Sequence, residues 1–411
     1  MRILFITDNF PPELNAPASR TYEHAVRWVR AGAEVTVITC APNFPKGEVF
    51  EGYRNRLYAK EEVDGIEVIR VWSFIAPNSG FAKRVVDYFS FAITSFLAGL
   101  FRKTDVIVAT SPQFFTTWSA AALSLLKRKP WIFELRDIWP ESIVAVGAGG
   151  NATMLRLLER IELRLYRSAN RVVAVSPAFR TNLAARGIDP GKVDVITNGA
   201  DLSRWGPREP EQALRDQLGL SGKFVVGYIG TMGMAHGLDF ILRAAAEIED
   251  ERLHFLFVGD GSEGQALRAQ AGGQRNVTFH PPVSKEDVPR FLAATDVALV
   301  PLRRSDTFRS VIPSKIFEAA AMRRPILLGV EGQAREIIEE HRAGLGFVPE
   351  DMRSFLAAVA RLSSDSRLYG EFQAGGDSLA RAFDRDHLAA RMLSILESVA
   401  RGHDGPAGKA G

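Results

Sequence analysis

Residues 2–7 (RILFIT) form an apolar run without an internal polar break, and Asp8 ends it. A loop holding Pro11, Pro12, Asn15 and Pro17 follows, then an amphipathic stretch, TYEHAVRWVRAG, and a second apolar run, EVTVITC. Apolar runs of this length suit strands buried on both faces of a parallel sheet, and the stretch between them has helical periodicity. The rhythm continues. In the first half, strands are expected near 2–7, 34–40, 67–72, 105–110, 131–135 and 171–175, alternating with helices. In the second half they are expected near 223–229, 253–258, 276–280, 296–300, 326–329 and 346–348. The segment 223–237 (KFVVGYIGTMGMAHG) repeats the opening: a buried-strand run, a glycine-rich loop, a helix. That arrangement begins a nucleotide-binding doubly wound unit.

Two such openings imply an α/β protein with two doubly wound parallel-sheet domains facing one another across a cleft, where a ligand would bind. The 411 residues fit this, because a single hydrophobic core usually stops growing well below that length. The pattern divides the chain into residues 1–200, 201–380, a helix over 381–401 and a disordered tail over 402–411. The clustered breakers of TNGADLSRWGPREP mark the hinge at 197–210.

Composition adds three constraints. Cys40 is the one cysteine, so an intramolecular disulfide framework is excluded and core packing is its simplest role. The amino terminus is too short in apolar residues for a secretory signal, which predicts a cytoplasmic protein. Net charge is only +3, and no basic tract interleaves with aromatics, so nucleic acid is not an expected partner. A pI near 9.0 suits anionic small molecules or an anionic membrane surface.

Residues 83–103 (KRVVDYFSFAITSFLAGLFRK) are the one long apolar stretch, bounded by Lys83-Arg84 and Arg102-Lys103. Asp87, Ser90 and Ser95 interrupt it, so it does not read as a span, which takes about 20 largely apolar residues. Two readings stand: a crossover helix buried in the first domain, or an interfacial helix with Tyr88, Phe89, Phe91 and Phe96 against the inner face of the cytoplasmic membrane.

The strongest chemical signal is SVIPSKIFEAAAMRRPILLGV at 310–330. Pro313 breaks the loop, Ser314 is expected as an N-cap, and Lys315 opens a helix. A diphosphate there would meet backbone donors, the positive helix end and the Lys315 ammonium. Glu318, one turn on, could accept two ribose hydroxyls, or merely complement the dipole. The loop Gly230, Thr231, Gly233, His236, Gly237 supplies a second phosphate cradle. Arg309 lies nearest the start of that helix.

A literal G-x-G-x-x-G occurs at Gly259, Gly261 and Gly264, but it follows the second strand of its domain. No acid ends the next strand, so a dinucleotide dehydrogenase is disfavoured. In FELRDIWPES, Glu134, Arg136, Asp137 and Glu141 fall at the carboxyl end of a strand. There Asp137 or Glu141 could position an acceptor hydroxyl or cap the following segment. Asp384-Arg385-Asp386 resembles a metal-binding pair but lies far from any strand end, and no metal is assigned.

The ordered series VVAVSPAFRTNLAARG, VITNGAD, VVGYIG, FLFVGDGSEG, NVTFHPPVSKEDVPRFLAATDVALVP and PSKIFEAAAMRRPIL resembles the retaining GT-B glycosyltransferases of family 4, through nearly the whole chain. The resemblance implies a GT-B fold and a nucleotide-sugar donor, UDP-linked, on the second domain. It also implies a lipid-linked saccharide acceptor on the first domain, no cofactor or metal, and a role in surface polysaccharide synthesis at the membrane. The donor side would comprise Gly230, Thr231, Gly233, His236, Gly259, Asp260, His280, Arg309, Ser314, Lys315 and Glu318. Asn15, Arg20 and Asp137 would stand on the acceptor side, and Asp137, Glu141, Lys315 and Glu318 would serve catalysis. Three positions depart from the family: Thr231 replaces its usual Arg, His236 its Lys, and Ser310 an acid. The last is similar to transferases of N-acetylated deoxy sugars such as N-acetylfucosamine. Two rivals remain, a sugar-nucleotide epimerase of the same architecture and a catalytically silent membrane scaffold.

Overall fold

The structure, a computed structural model, describes residues 1–13, 15–44, 46–75, 81–111, 114–138 and 152–404. The chain forms two compact units, Met1–Thr197 with Asp386–Gly411, and Asn198–Arg385. Of the expected disordered tail at 402–411, residues 402–404 are instead the last of the helix Arg385–Asp404, and the rest lies outside the described residues.

The first unit holds strands β1 (Arg2–Ile6), β2 (Glu34–Cys40), β3 (Tyr58–Val63), β4 (Ile66–Val71), β5 (Val106–Thr110), β6 (Trp131–Leu135), β7 (Arg171–Ala174) and β8 (Val193–Val195). They form one sheet in the order β3-β4-β2-β1-β5-β6-β7-β8. All neighbours are parallel except β3 and β4. Alternate residues feed two cores. Leu4, Ile6, Ile38 and Ile69 face the helices Phe81–Leu100 and Phe114–Lys127, whereas Ile3, Phe5, Val37 and Val68 pack with Trp28, Leu388, Met392 and Leu396. The carboxy-terminal helix therefore completes the first unit, and Trp28 Nε1 donates to its Ala389 carbonyl at 2.9 Å.

The second unit holds β9 (Phe224–Ile229), β10 (Leu253–Val258), β11 (Val277–His280), β12 (Val297–Pro301), β13 (Ile326–Gly329) and β14 (Gly344–Gly346), ordered β11-β10-β9-β12-β13-β14. This is the nucleotide-binding strand order, with successive connections leaving the central strand in opposite directions. β1 occupies the same place in the first sheet, between β2 and β5. Open α/β sheets bind ligands at the carboxyl ends of such strands, where the two crossovers part.

Two strands fall outside the sequence expectation. β3 is a charge-rich edge strand (YAKEEV) whose pattern carries little apolar signal; it turns into β4 through Asp64 and Gly65, both at positive φ, as a two-residue hairpin requires. β8 is only three residues long.

The apolar stretch at 83–103 forms the helix Phe81–Leu100, and its two faces differ. Phe91 and Ser95 point inward, while Val86, Phe89, Ile93 and Leu97 make an outward stripe continued by Phe101, 85% exposed. The expected outward face of Tyr88, Phe89, Phe91 and Phe96 is thus corrected. At 100° per residue, Phe91 lies across the helix from Phe89, and Phe96 packs against the core. Among the described residues no helix is long and apolar enough to cross a membrane.

Because Leu396 is fully buried in the first unit, Leu396→Ala should destabilise that unit by about 2–5 kcal/mol. Urea unfolding followed by fluorescence would show an earlier transition; an unchanged midpoint would mean that the helix contributes no core.

Candidate functional site

At the carboxyl end of β9 the chain turns at Gly230, whose φ of 142° only glycine adopts readily. A Cβ on Gly230 would lie 2.6 Å from Lys315 Nζ, so the missing side chain is what lets the lysine in. The glycine loop and the opening of the Lys315–Ala321 helix are therefore in contact. Lys315 Nζ sits 3.9 Å above the Tyr228 ring, shielded from solvent, with no hydrogen-bond partner. Burial lowers its pKa to about 8, and Glu318, one turn on, acts in the opposite sense. A shielded cation over an aromatic face, with no acceptor for its hydrogen bonds, is an incomplete anion site.

The glycines of the G-x-G-x-x-G run serve this same corner. A Cβ on Gly259 would meet the Gly230 carbonyl at 2.1 Å, and one on Gly261 the Met232 carbonyl at 2.4 Å. Met232 N–H donates to Asp260 O and Glu263 N–H to Met232 O, both at 2.9 Å. The run thus locks the β10 loop onto the β9 loop instead of cradling a dinucleotide of its own. Asp260 is exposed, with its carboxyl held low by the Gly261 N–H and then by Arg268. Thr231 is exposed, and its carbonyl accepts the Tyr228 hydroxyl.

His236 ends the turn Met234–His236 beside the Tyr228 ring. Burial, then the Lys315 charge, depress its pKa to about 4, against a hydrogen bond to Pro301. It is therefore neutral near pH 7. It brings no positive charge where the resemblance sets a lysine: burial first, and then repulsion from Lys315, keep a second cation out of this corner. Ser314 is likewise not an N-cap of the expected kind: its backbone is helical and its side chain makes no cap bond. Arg309 is exposed and pairs with Glu331 at 3.6 Å. His280 closes β11, where Nδ1 meets the Pro281 carbonyl at 2.8 Å and the ring packs 4.5 Å from Phe291. Gly259 N–H donates to its carbonyl at 3.1 Å, which ties it to the site through the backbone alone.

Two residues escaped sequence reasoning. Tyr228 carries the ring beneath Lys315 Nζ. Arg303 holds the 234–236 turn through Met234 O at 2.6 Å and reaches Asp239 at 2.9 Å.

In the first unit, Arg20 is 1% exposed and pairs with equally buried Glu134 at 2.9 Å. It also donates to the Thr197 and Ile196 carbonyls at 2.6 and 2.8 Å. Its expected place on an acceptor surface is therefore corrected: it ties the Ala16–Arg30 helix to β6 and to the chain leaving β8. Asn15 caps that helix, its Oδ1 accepting Ala18 N–H at 2.9 Å. Asp137 is exposed along its edge; the surrounding protein raises its carboxyl pKa while Arg136 pulls it down. Ser111 Oγ accepts the N–H groups of Arg136 and Asp137 at 2.8 and 3.2 Å, joining the ends of β5 and β6. Glu141 lies outside the described residues. Among the described residues, no group of three His, Cys, Asp or Glu side chains gathers as for a metal ion.

Residues 15–199 match the glycosyl transferase 4-like domain, and residues 223–365 match glycosyl transferases group 1. The chain is 28% identical over 334 residues to the putative colanic acid biosynthesis glycosyl transferase WcaI of Escherichia coli, covering 78% of this chain and 81% of that protein. It is 28% identical over 270 residues to the probable glycosyltransferase WbjE of Pseudomonas aeruginosa, 64% and 66% of the two chains. Among solved structures, Anabaena Alr3699/HepE in complex with UDP and glucose superposes with a TM-score of 0.71 at 20% identity, over 97% of this chain and 100% of that one. WaaG, a glycosyltransferase involved in lipopolysaccharide biosynthesis, gives 0.68 at 15% identity, over 96% and 99%. With a 4-like domain in its first unit and a group 1 domain in its second, the chain is a glycosyltransferase of the GT-B fold.

Proposed function

We propose that the protein transfers a sugar from a UDP-linked donor, with retention at the anomeric carbon and without a metal, to a hydroxyl of a lipid-linked saccharide in surface polysaccharide synthesis. The observation that carries this reading is the Lys315 ammonium, shielded and without a hydrogen-bond partner against Gly230 and Tyr228. As the glycosidic bond breaks, negative charge grows on the departing diphosphate. A cation already desolvated beside it favours that state over the ground state. The acceptor oxygen bonds to the anomeric carbon on the face the diphosphate leaves, a diphosphate oxygen takes the hydroxyl proton, and UDP departs. Glu318 accepts the ribose hydroxyls. The names of WcaI and WaaG support the polysaccharide role, and HepE with UDP and glucose supports the donor. Ser310, in place of the usual acid, fits an N-acetylated deoxy sugar.

The lipid-linked acceptor brings the protein to the cytoplasmic membrane face. The stripe Val86, Phe89, Ile93, Leu97 and Phe101 enters the headgroup region, with exposed Lys83 and Lys103 at its ends meeting anionic lipid.

Three outcomes follow. Lys315→Ala should lower kcat by about 10²- to 10³-fold and Glu318→Ala should weaken donor use, in an assay of UDP release with and without a lipid acceptor. Release without an acceptor, or wild-type rates in both variants, would refute the assignment. The second outcome concerns pH. Lys315 titrates near 8 in the fold against an ordinary 10.5, so between those values the unfolded chain holds more protons and stability rises with pH. Thermal melts of the unliganded protein should show that rise and lose it in Lys315→Met, while UDP affinity should fall above about pH 8 as the cation is lost. Third, changing Phe89, Ile93 and Leu97 together to Ser should cut partition onto phosphatidylglycerol vesicles at least roughly tenfold. Equal flotation would remove the membrane role of this helix.

A further inference from the structure

The first unit contains a buried charged group that neither its packing nor the donor chemistry uses. Asp8 lies two residues past β1, at the carboxyl end of the strand where the crossovers to β2 and β5 part. The residue is 8% exposed, and its Oδ1 is shielded and has no hydrogen-bond partner. The other oxygen is held. Asn9 Nδ2 donates to Oδ2, Asn15 Nδ2 donates to Asn9 Oδ1, and Ala18 N–H fixes Asn15 Oδ1 at 2.9 Å. The Asp8 carbonyl is pinned as well, by Thr39 Oγ1 at 3.0 Å and Cys40 Sγ at 3.1 Å. A relay of three side chains, anchored on a helix cap, thus aims one carboxyl oxygen and leaves it unsatisfied. A buried acceptor without a donor is costly, and no cation offsets it here, whereas buried Glu134 lies against the Arg20 guanidinium.

We infer that Asp8 Oδ1 receives a hydroxyl of the saccharide acceptor, making Asp8 with Asn9 and Asn15 the acceptor-orienting site of the first unit. The inference rests on the transferase reading above and names where that reaction's second substrate is held. The chemistry favours a neutral sugar hydroxyl over a phosphate. Glu13 and Asp87 are the charges that bear on Asp8, and both are acidic; the Cys40 thiol is buried beside its backbone, and Arg70 is turned to Glu61 and the Cys40 and Pro11 carbonyls. Burial, then the Glu13 charge, raise the Asp8 carboxyl to about 7 against the Asn9 hydrogen bond, and Asp87 stands at about 6. Asp8 therefore ionises within the working range, and its carboxylate form is the better hydroxyl acceptor.

The test uses the full chain, a UDP-sugar panel (glucose, N-acetylglucosamine, N-acetylfucosamine) and, as acceptor, the total lipid extract of the producing organism's membranes. Asp8→Asn should raise the acceptor KM at least tenfold, with kcat, UDP affinity and melting temperature near wild type. Asn15→Asp keeps the helix cap but loses the donor to Asn9, and should raise the same KM several-fold. In the wild type, acceptor KM should climb as pH falls below about 7, a limb that Asp8→Asn removes. An unchanged KM in Asp8→Asn would assign Asp8 to packing or to a bound water. If that variant fails to fold, a wild-type acceptor KM flat from pH 5 to 8 overturns the inference equally. No transfer to the extract by the wild type with any donor would instead sink the transferase reading, and this inference with it.

Discussion

An ammonium group kept out of water without a hydrogen-bond partner is the constraint on which the second unit's site depends. Lys315 Nζ occupies the space a Gly230 side chain would fill, over the Tyr228 ring. Every residue that makes this possible does so by being small or by closing the corner. Gly259 and Gly261 let the β10 loop lie on the β9 loop, and Arg303 holds the 234–236 turn in place. Cation–π attraction offsets only part of the desolvation of such a group. The arrangement spends stability that a bound anion would return, which is how sites that act on developing charge are commonly built.

The first unit offers an internal comparison. Among the described residues Arg20 and Glu134 are as buried as any charged pair, and Arg20 also reaches two carbonyls, so that charge is structural. Asp8, a short way off along the same sheet edge, keeps one oxygen without a partner although its other atoms are carefully held. Burial alone does not separate the two. What separates them is the counter-charge: Glu134 lies against the Arg20 guanidinium, whereas the charges that bear on Asp8, those of Glu13 and Asp87, are acidic.

Much of the fold was legible because buried parallel strands write continuous apolar runs. Twelve of the strand positions expected from those runs coincide with strands of the two sheets to within a few residues, and both switch-point strands were among them. β3 was not legible, since an edge strand such as YAKEEV is half solvated and its charges mask the alternation. At the site, the pairing of the Gly230 loop with Lys315 could be anticipated from chemistry, because glycine before a helix and lysine at a helix start both suit phosphate. The neutral state of His236 could not, because it follows from three-dimensional burial beside Lys315. The same holds for Arg20, which sequence reasoning placed toward a substrate: nothing in its spacing reveals that Glu134, 114 positions later, closes on it. The amphipathic character of the 83–103 helix was visible, but its outward face was assigned from aromatic content when the helical angle decides it.

The neutral imidazole also bears on how a diphosphate would be recognised. The family resemblance sets Arg and Lys where this chain has Thr231 and His236, and Arg309 is engaged with Glu331. A diphosphate at the Gly230 corner would therefore meet one desolvated cation and backbone donors, in place of a cluster of positive side chains, since the neutral His236 ring spends its one N–H on the Pro301 carbonyl. One cation in a dry corner interacts more strongly than several in water, because the effective dielectric constant falls with burial. It is also more sensitive to protonation. With Lys315 titrating near 8, the whole electrostatic contribution of the side chains rests on a single proton. An enzyme built this way gains selectivity for the state that carries most charge, the leaving diphosphate, because it has no surplus of cations to hold the intact donor.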